Sequence, residues 1–196
     1  MARRDLPTEE AVRALVTRVV DAVAVAPTAT AERSEASPLP TDGAIAIGAD
    51  HGGFRLKERL GFRLREAGRR VVDCGTDSTE AVDYPDFALA VAEKVASGEC
   101  SEGIVVDGAG IGSAMVANKV PGVRAASCYD ISSARNSREH NHANVLTLGA
   151  GLIGEALAWQ IVEEWLATPW AGGRHAKRVE KIDAVDRRYA RLGEAV

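Results

Sequence analysis

A carboxylate followed by three glycines is the feature of this chain that points most directly to chemistry. Asp107 ends an apolar run, and Gly108, Gly110 and Gly112 follow it at alternate positions. Glycines let the backbone turn sharply and approach a ligand closely, and the amides that open a helix favour an anion. This stretch therefore predicts a cradle for a phosphate or an oxyanion, with a candidate acid or base beside it.

Histidines are scarce in this chain, and we weigh each one as a candidate acid or base. A lone histidine is more often structural than functional, so its neighbours must decide. His51 follows Asp50 at a predicted strand end, and His140 and Asn141 close a predicted helix, which favours a functional role for both histidines. The other two are left open between a structural and a functional role. The four are His51, His140, His142 and His175.

Two arginines near the C-terminus have the spacing of an anion grip. Arg174 and Arg178 are four residues apart, which predicts that they share one face of the last helix. Guanidinium groups bind a phosphate through paired hydrogen bonds, and their planar shape fixes its orientation. The alternative is an ordinary solvated face, because Lys177, Glu180 and Lys181 surround them.

The elements that must position these groups alternate along the chain as short apolar strands and amphipathic helices. This alternation predicts an α/β fold with a parallel sheet covered on both faces. Ligands bind such sheets at the carboxyl ends of the strands, where Asp50, Asp107 and the pair 129–130 are expected. The strands are predicted at 44–48, 70–74, 103–106, 123–128 and 145–148, and the helices at 54–67, 86–96, 111–119, 131–141, 154–167 and 175–192.

Composition limits the classes of function. The chain has 196 residues, 46% of them apolar and 27% charged, which is typical of one globular domain with a short appendage. A net charge of −4 argues against a general nucleic-acid binder. No apolar run approaches the roughly 18 residues of a membrane span. Three scattered cysteines without metal spacing favour a reducing, cytoplasmic compartment.

The N-terminal segment predicts an amphipathic helix over residues 1–26, followed by a flexible linker over 27–43 and the main domain over 44–196. Arg13, Arg18 and Asp21 interrupt the apolar stretch, which argues against a secretory signal. Thr8 is the predicted helix cap. The helix either folds back onto its own domain or docks elsewhere. Its apolar stripe consists of Val12, Leu15, Val16, Val19, Val20 and Val23.

Five ordered motifs resemble those of the type-B ribose-5-phosphate isomerase family, which includes the galactose-6-phosphate isomerase subunits. The resemblance covers about residues 44–189, nearly all of the chain after the linker. Five motifs at matching spacings are far more specific than a glycine loop alone. They are ADHGGFRLK at 49–57, VDYPDF at 82–87, the glycine loop through ANKVPG at 117–122, SREHN with ANVL at 137–146, and GGRH with RV at 172–179.

The resemblance implies a Rossmann-like three-layer sandwich with a five-stranded parallel sheet, in a homodimer with shared active sites that often pairs into a tetramer. It implies no metal and no organic cofactor. It also implies conversion of ribose 5-phosphate to ribulose 5-phosphate, in which a base removes the C2 proton and a cis-enediolate forms.

The same resemblance implies a role for each matching residue. Asp50 and His51 would contact the sugar and its phosphate, and His140 would open the furanose ring while Asn141 holds a hydroxyl. Arg174 and Arg178 would bind the phosphate. Donors to the enediolate would come from the loop formed by Gly108, Ala109, Gly110, Ile111 and Gly112.

Two positions depart from the family pattern: the usual catalytic cysteine is Asp107 here, and the usual threonine is Ala109. The actinobacterial branch instead uses a glutamate just after the glycine loop, and that position here is Ser113. Asp107 is therefore the candidate base, since an aspartate can remove a proton next to a carbonyl. The alternatives are a loop-capping aspartate in a protein that binds but does not isomerise, or an isomerase of another pentose or hexose phosphate.

Residues 1–26 carry a second, weaker resemblance. A short amphipathic helix on a Pro/Ala/Thr/Ser tether is similar to the encapsulation peptides that direct enzymes into bacterial microcompartments. This implies shell proteins as partners of the segment. The other hypothesis for the same helix is a structural arm of the oligomer.

Overall fold

The computed structural model describes residues 8–24 and 43–193 of the chain. Two compact units are present, residues 1–37 and 38–196. Apart from Gly43, the predicted linker over 27–43 lies outside the described residues. Across the described ranges, the structure contains no helix long and apolar enough to cross a membrane.

The first unit contains helix α1, Glu9–Ala24, as the sequence predicts. The amide of Ala11 donates to Oγ1 of Thr8 at 3.3 Å, which confirms the predicted cap. Val12, Leu15 and Val16 all lie exposed on this helix.

The second unit alternates strands and helices, as expected from the apolar pattern. All strand and α-helix bounds differ from the predicted ones by no more than two residues, and β4 is shorter than predicted at both ends because it spans only three residues. Asn118 bonds the backbone of Ala125 through both its amide nitrogen and its oxygen, and this contact lies where β4 begins. The strands are β1 Ala44–Ala49, β2 Arg70–Asp73, β3 Glu102–Asp107, β4 Ala125–Ser127 and β5 Val145–Gly149; the helices are α2 Phe54–Glu66, α3 Tyr84–Ala96, α4 Ile111–Ala117, α5 Ile131–Asn141, α6 Glu155–Ala167 and α7 Ala176–Gly193, preceded by a 3₁₀ turn at Gly173–His175.

The five strands form one parallel sheet in the order β2-β1-β3-β5-β4. One apolar cluster packs α2, α5 and α6 against the sheet, and a second cluster packs α3 and α4 against its other face. This is the predicted Rossmann-like three-layer sandwich. Strand β3 lies at the centre, with Val106 paired to Ala49 of β1 and Asp107 paired to Gly149 of β5.

A buried ion-pair triad fixes α5 against the start of β3. Glu102 accepts hydrogen bonds from Arg69 and from Arg138, each at 3.3 Å. Arg138 also donates to the carbonyl of Ala143 at 2.6 Å, and its guanidinium lies 4.6 Å from the ring centre of Trp165. These contacts hold the C-terminal end of α5 at the edge of the sheet where β3 begins.

Candidate functional site

The glycine loop connects the end of β3 to the start of α4, as the sequence predicts. Gly110 has φ of 77°, and a Cβ at this position would lie 2.9 Å from the backbone of Leu148. The carbonyl of Gly110 accepts a hydrogen bond from Thr147 at 2.6 Å. A Cβ on Gly108 would meet no atom within 4 Å, so this side of the loop is open to a ligand.

The carboxylate of Asp107 is bound by its own loop. Oδ1 accepts hydrogen bonds from the amides of Ala109, at 2.7 Å, and Gly110. Oδ2 accepts from the amide of Ser113 at 3.2 Å and from the hydroxyl of the same residue. A carboxylate offers about four lone-pair sites, so these four donors engage all of them. The side chain is only 5% exposed, and in this conformation it caps the loop and the start of α4.

This capping bears on two sequence-based hypotheses. The amides of Ala109 and Gly110, expected to bind the enediolate, donate to Asp107 instead. The first-turn amides of Ile111 and Gly112 have no partner within their helix and remain candidate donors. Asp107 as a base stays a prediction, because the carboxylate must lose a donor before it can accept a proton.

The first strand supplies two further predicted residues at the same sheet edge. Asp50 is buried, and its Oδ1 accepts a hydrogen bond from the amide of Gly53 at 3.0 Å. His51 is exposed, and its Nδ1 lies 3.1 Å from the carbonyl oxygen and 3.2 Å from the amide of Val82. The Val82 backbone therefore engages Nδ1, and Nε2 is the nitrogen suited to contact a ligand.

Two tyrosines also contact the loop, and the sequence assigned neither of them a role. Oη of Tyr129 donates to the carbonyl of Ala109 at 3.2 Å and lies 3.1 Å from the hydroxyl of Ser127. The ring of Tyr84 packs so close to Gly112 that a Cβ there would come within 2.6 Å of it. Position was the available signal for Tyr129, which lies two residues after the end of β4, at the sheet edge where residues 129 and 130 were expected.

The remaining predicted residues gather at the end of α5. His140 stacks on His175, with 4.2 Å between ring centres and 3° between planes. Nε of Arg174 donates to Nε2 of His175 at 3.1 Å. Arg178 is exposed in the first turns of α7, and Asn141 is exposed where α5 ends.

Arg174 differs from its predicted placement. It belongs to the 3₁₀ turn Gly173–His175, whereas α7 begins at Ala176, so Arg174 and Arg178 do not share one α-helical face. Gly172 and Gly173 both have positive φ, and this backbone bends the chain before the helix can start.

The two groups of predicted residues lie at opposite edges of the sheet. Arg138 of α5 bonds Glu102, the first residue of β3, whereas Asp107 is the last residue of that strand. Five steps of about 3.3 Å separate the ends of β3 by roughly 17 Å. One chain therefore does not bring His140 and Arg174 to Asp107, and a site that uses all of them needs a second copy.

One cavity and one buried thiol lie near this end of the sheet, and neither belongs to the predicted site. A cavity of about 600 Å³ lies between the start of α2 and the loop after β5, but none of the predicted site residues lines it. Cys128 ends close to the same sheet edge as Asp107, yet it is buried, and burial raises the pKa of its thiol. In the part of the chain that the structure describes, no three histidine, cysteine or acidic side chains are grouped to hold a metal ion.

Comparison with known proteins identifies the family. The ribose/galactose isomerase family matches residues 45–182. Ribose-5-phosphate isomerase B of Escherichia coli is 46% identical over 144 residues, which cover 74% of this chain and 97% of that protein. D-erythrulose-4-phosphate isomerase of Pectobacterium atrosepticum is 44% identical over 139 residues, or 70% of this chain and 91% of that protein.

A solved structure shares the fold. The ribose-5-phosphate isomerase B of Clostridium thermocellum aligns with a TM-score of 0.74 at 52% identity, covering 74% of this chain and 99% of that one. The sheet, the loop after β3 and the polar groups at the end of α5 all fall within the matched range. This chain therefore belongs to the ribose/galactose isomerase family.

Proposed function

We propose that this chain interconverts a phosphorylated aldose and its ketose, with ribose 5-phosphate and ribulose 5-phosphate as the first pair to test. The observation that carries the proposal is the 46% identity to ribose-5-phosphate isomerase B across 97% of that enzyme. The similar relative that acts on D-erythrulose 4-phosphate makes a four-carbon sugar the second substrate to test. Other pentose and hexose phosphates are the next substrates to test.

In this proposal two copies of the chain complete each site, and the copies form a homodimer that can pair into a tetramer. One copy contributes Asp50, His51 and the loop after Asp107. The other contributes His140 and Asn141 at the end of α5. It also supplies the phosphate grip, Arg174 and Arg178, whose exposed guanidinium groups suit a dianion.

Ring opening comes first, with His140 as acid and base. The bond between C1 and the ring oxygen breaks, the C1 hydroxyl loses its proton as the carbonyl forms, and the ring oxygen gains a proton. The imidazole therefore ends in the state in which it began. Asn141, the next residue along the chain, holds a sugar hydroxyl in this proposal.

Proton transfer from C2 to C1 follows: Asp107 takes the proton from C2 and returns it to C1, while the proton of the C2 hydroxyl passes to the C1 oxygen. The carboxylate and the enediolate oxygen are both anions and compete for the amides of Ala109 and Gly110. An arriving substrate oxygen that takes these amides releases the carboxylate. The hydroxyl of Ser113 is the donor that can leave by side-chain rotation alone, so we assign it the first step of this exchange.

Substitution of Asp107 tests the proposal. Asp107→Asn keeps one oxygen for the amides of Ala109 and Gly110 but has no basic oxygen for C2. We expect the variant to lose isomerisation of ribose 5-phosphate by about a hundredfold or more while it still binds the sugar phosphate. Isomerisation is followed by the ketose formed, and binding by calorimetry.

A second candidate function is favoured by the hydrogen bonds of Asp107. With all four acceptor positions engaged, the chain could bind sugar phosphates through its arginines without isomerising them. Asp107→Cys, which restores the usual family residue, separates the candidates. Activity that appears only in this variant would establish the binding protein, and activity of the unchanged chain would exclude it.

For residues 1–26 we propose a role as a targeting peptide that binds the shell proteins of a bacterial microcompartment. The exposed apolar side chains of Val12, Leu15 and Val16 support a docking function for α1. Deletion of residues 1–42 should leave kcat/KM and oligomer size unchanged and abolish association with shell proteins. Dissociation of the oligomer on deletion would instead identify a structural arm.

A further inference from the structure

The segment before α7 is held on the end of α5 by two parallel ring stacks. His175 lies flat on His140, and Trp170 lies flat on His142 with 4.3 Å between ring centres and 5° between planes. The amide of Ala171 donates to the carbonyl of Glu139 at 3.1 Å. The ring of His140 is therefore covered on one face by a second imidazole in a fixed orientation.

Hydrogen bonds define which nitrogen of His175 carries the proton. Nε of Arg174 is always a donor, so Nε2 of His175, 3.1 Å away, must accept. The neutral ring then has its proton on Nδ1. His175 is buried, and its pKa is lowered first by this burial and then by the positive charge of His140, Arg174 and Arg178, against the opposing effect of Glu139.

The tautomer of His140 is set from its other side. Nδ2 of Asn136 lies 2.8 Å from Nδ1 of His140, and Nδ2 of Asn141 lies 3.4 Å from Oδ1 of Asn136. With the amide of Asn136 in this orientation it donates to Nδ1, so Nε2 of His140 carries the proton. A carboxylate lies near that nitrogen, with Oε1 of Glu139 3.7 Å away.

We propose that His175 is a positioning residue for His140, held flat against it with its proton on Nδ1 by the hydrogen bond from Arg174. Two stacked imidazoles 4.2 Å apart repel each other when both are charged, so a neutral His175 lets His140 alone gain and lose the proton. Arg174 then has two tasks. Its Nε orients the imidazole pair, and its terminal nitrogens remain for the phosphate.

This inference rests on the proposed function, because it assigns His140 to ring opening. A sugar that cannot form a furanose ring bypasses that step, and erythrose 4-phosphate is such a sugar since its O4 carries the phosphate. His175→Ala should therefore lower kcat for ribose 5-phosphate by about tenfold and leave kcat for erythrose 4-phosphate within about twofold. His175→Phe, which keeps a flat neutral ring, should restore most of the loss.

His142→Asn is the matched control, because it removes the neighbouring ring stack, keeps a residue that tolerates the backbone at position 142 and leaves the side chain of His140 in place. It should leave the ratio of the two kcat values unchanged. An equal loss on both sugars in His175→Ala, or the same change of ratio in His142→Asn, would overturn the proposal in favour of a purely structural contact.

Nitrogen NMR of the imidazoles tests the same inference without any activity. The full chain at neutral pH should show His175 protonated on Nδ1 and His140 on Nε2. Arg174→Lys keeps the charge but removes Nε, and should abolish the preference of His175 for its tautomer. Should the unchanged chain isomerise no sugar phosphate, the proposed function fails while these spectra still decide the tautomers; His175 protonated on Nε2 would refute the positioning role.

Discussion

The carboxylate of Asp107 gives the glycine loop of this chain a negative charge of its own. Asp107 places a negative charge in the ring of amides that the resemblance assigned to the enediolate, so the loop binds an anion of its own when no substrate is present. The sequence predicted both a base and a cap for this residue. Only the positions of the Ala109, Gly110 and Ser113 donors show that the cap is formed, because a loop's amide directions depend on φ values that residue types do not define.

The cap has a measurable contribution to stability. Asp107→Ala leaves two amides of a buried loop and the amide and hydroxyl of Ser113 without an acceptor. We expect the free energy of unfolding to fall by about 2–3 kcal/mol, which denaturant titration measures. Asp107→Asn, which retains one oxygen, should lose less. Equal stability of all three proteins would mean that the loop does not depend on this carboxylate.

Two histidines, one at the end of α5 and one in the 3₁₀ turn before α7, make stability depend on pH. Burial is the first cause that lowers the pKa of both His142 and His175. The usual pKa of histidine is about 6.5, and below that pH the unfolded chain binds more protons than the folded one. The free energy of unfolding should therefore decrease as the pH is lowered. The contribution is fully present above that pH and is lost as the pH drops through the lowered values.

His142→Asn isolates one of these two contributions. Residue 142 has φ of 52°, and asparagine is among the residues that tolerate this backbone best. The variant should show a smaller loss of stability between pH 7 and pH 5 in denaturant titrations. An unchanged pH dependence would assign the effect to other groups.

At the scale of elements, the apolar pattern was enough to predict every strand and helix of the second unit. Runs such as Ala44–Ala49, buried at all six positions, leave little choice of secondary structure. The errors lie where side chains or turns decide the boundary. The pairing of Asn118 with Ala125 and the positive φ values of Gly172 and Gly173 are tertiary and backbone effects that a periodicity does not encode.

The loop before α4 allows a matched test of its glycines. Gly110→Ala must place a Cβ at positive φ against the Leu148 backbone, so we expect a loss of about 1–3 kcal/mol in thermal or denaturant unfolding. Gly108→Ala meets no atom within 4 Å and should leave stability unchanged. Because its Cβ points into the open side of the loop, Gly108→Ala should raise KM for the sugar phosphate instead. An unchanged KM in Gly108→Ala would show that the ligand does not approach this side of the loop.

At the scale of the molecule, the two groups of predicted residues are separated by the length of β3. The sequence contained a signal for this, since His140 ends a helix whereas Asp107 ends a strand, and helices of such folds return to the opposite edge of the sheet. The strand order and the distance still required the structure. If both groups serve one reaction, as proposed, neither edge is a complete site by itself.

Mixing inactive variants tests the shared site. Asp107→Asn and His140→Asn damage different halves, so a mixed dimer contains one site with both substitutions and one site with neither. Unfolding and refolding the two together at equal amounts should restore roughly a quarter of the activity of the unchanged chain, since half of the dimers are mixed and each has one of its two sites intact. Activity that stays at the level of the separate variants would show that each chain works alone.

In the proposed dimer, a site whose halves lie at opposite ends of a central strand would tie turnover to protein concentration. A newly synthesised chain would be inert until it met another, and an assay diluted below the dissociation constant of the pair would lose specific activity although every molecule remained folded. Rates measured at nanomolar enzyme would then underestimate the capacity of the protein where it is abundant.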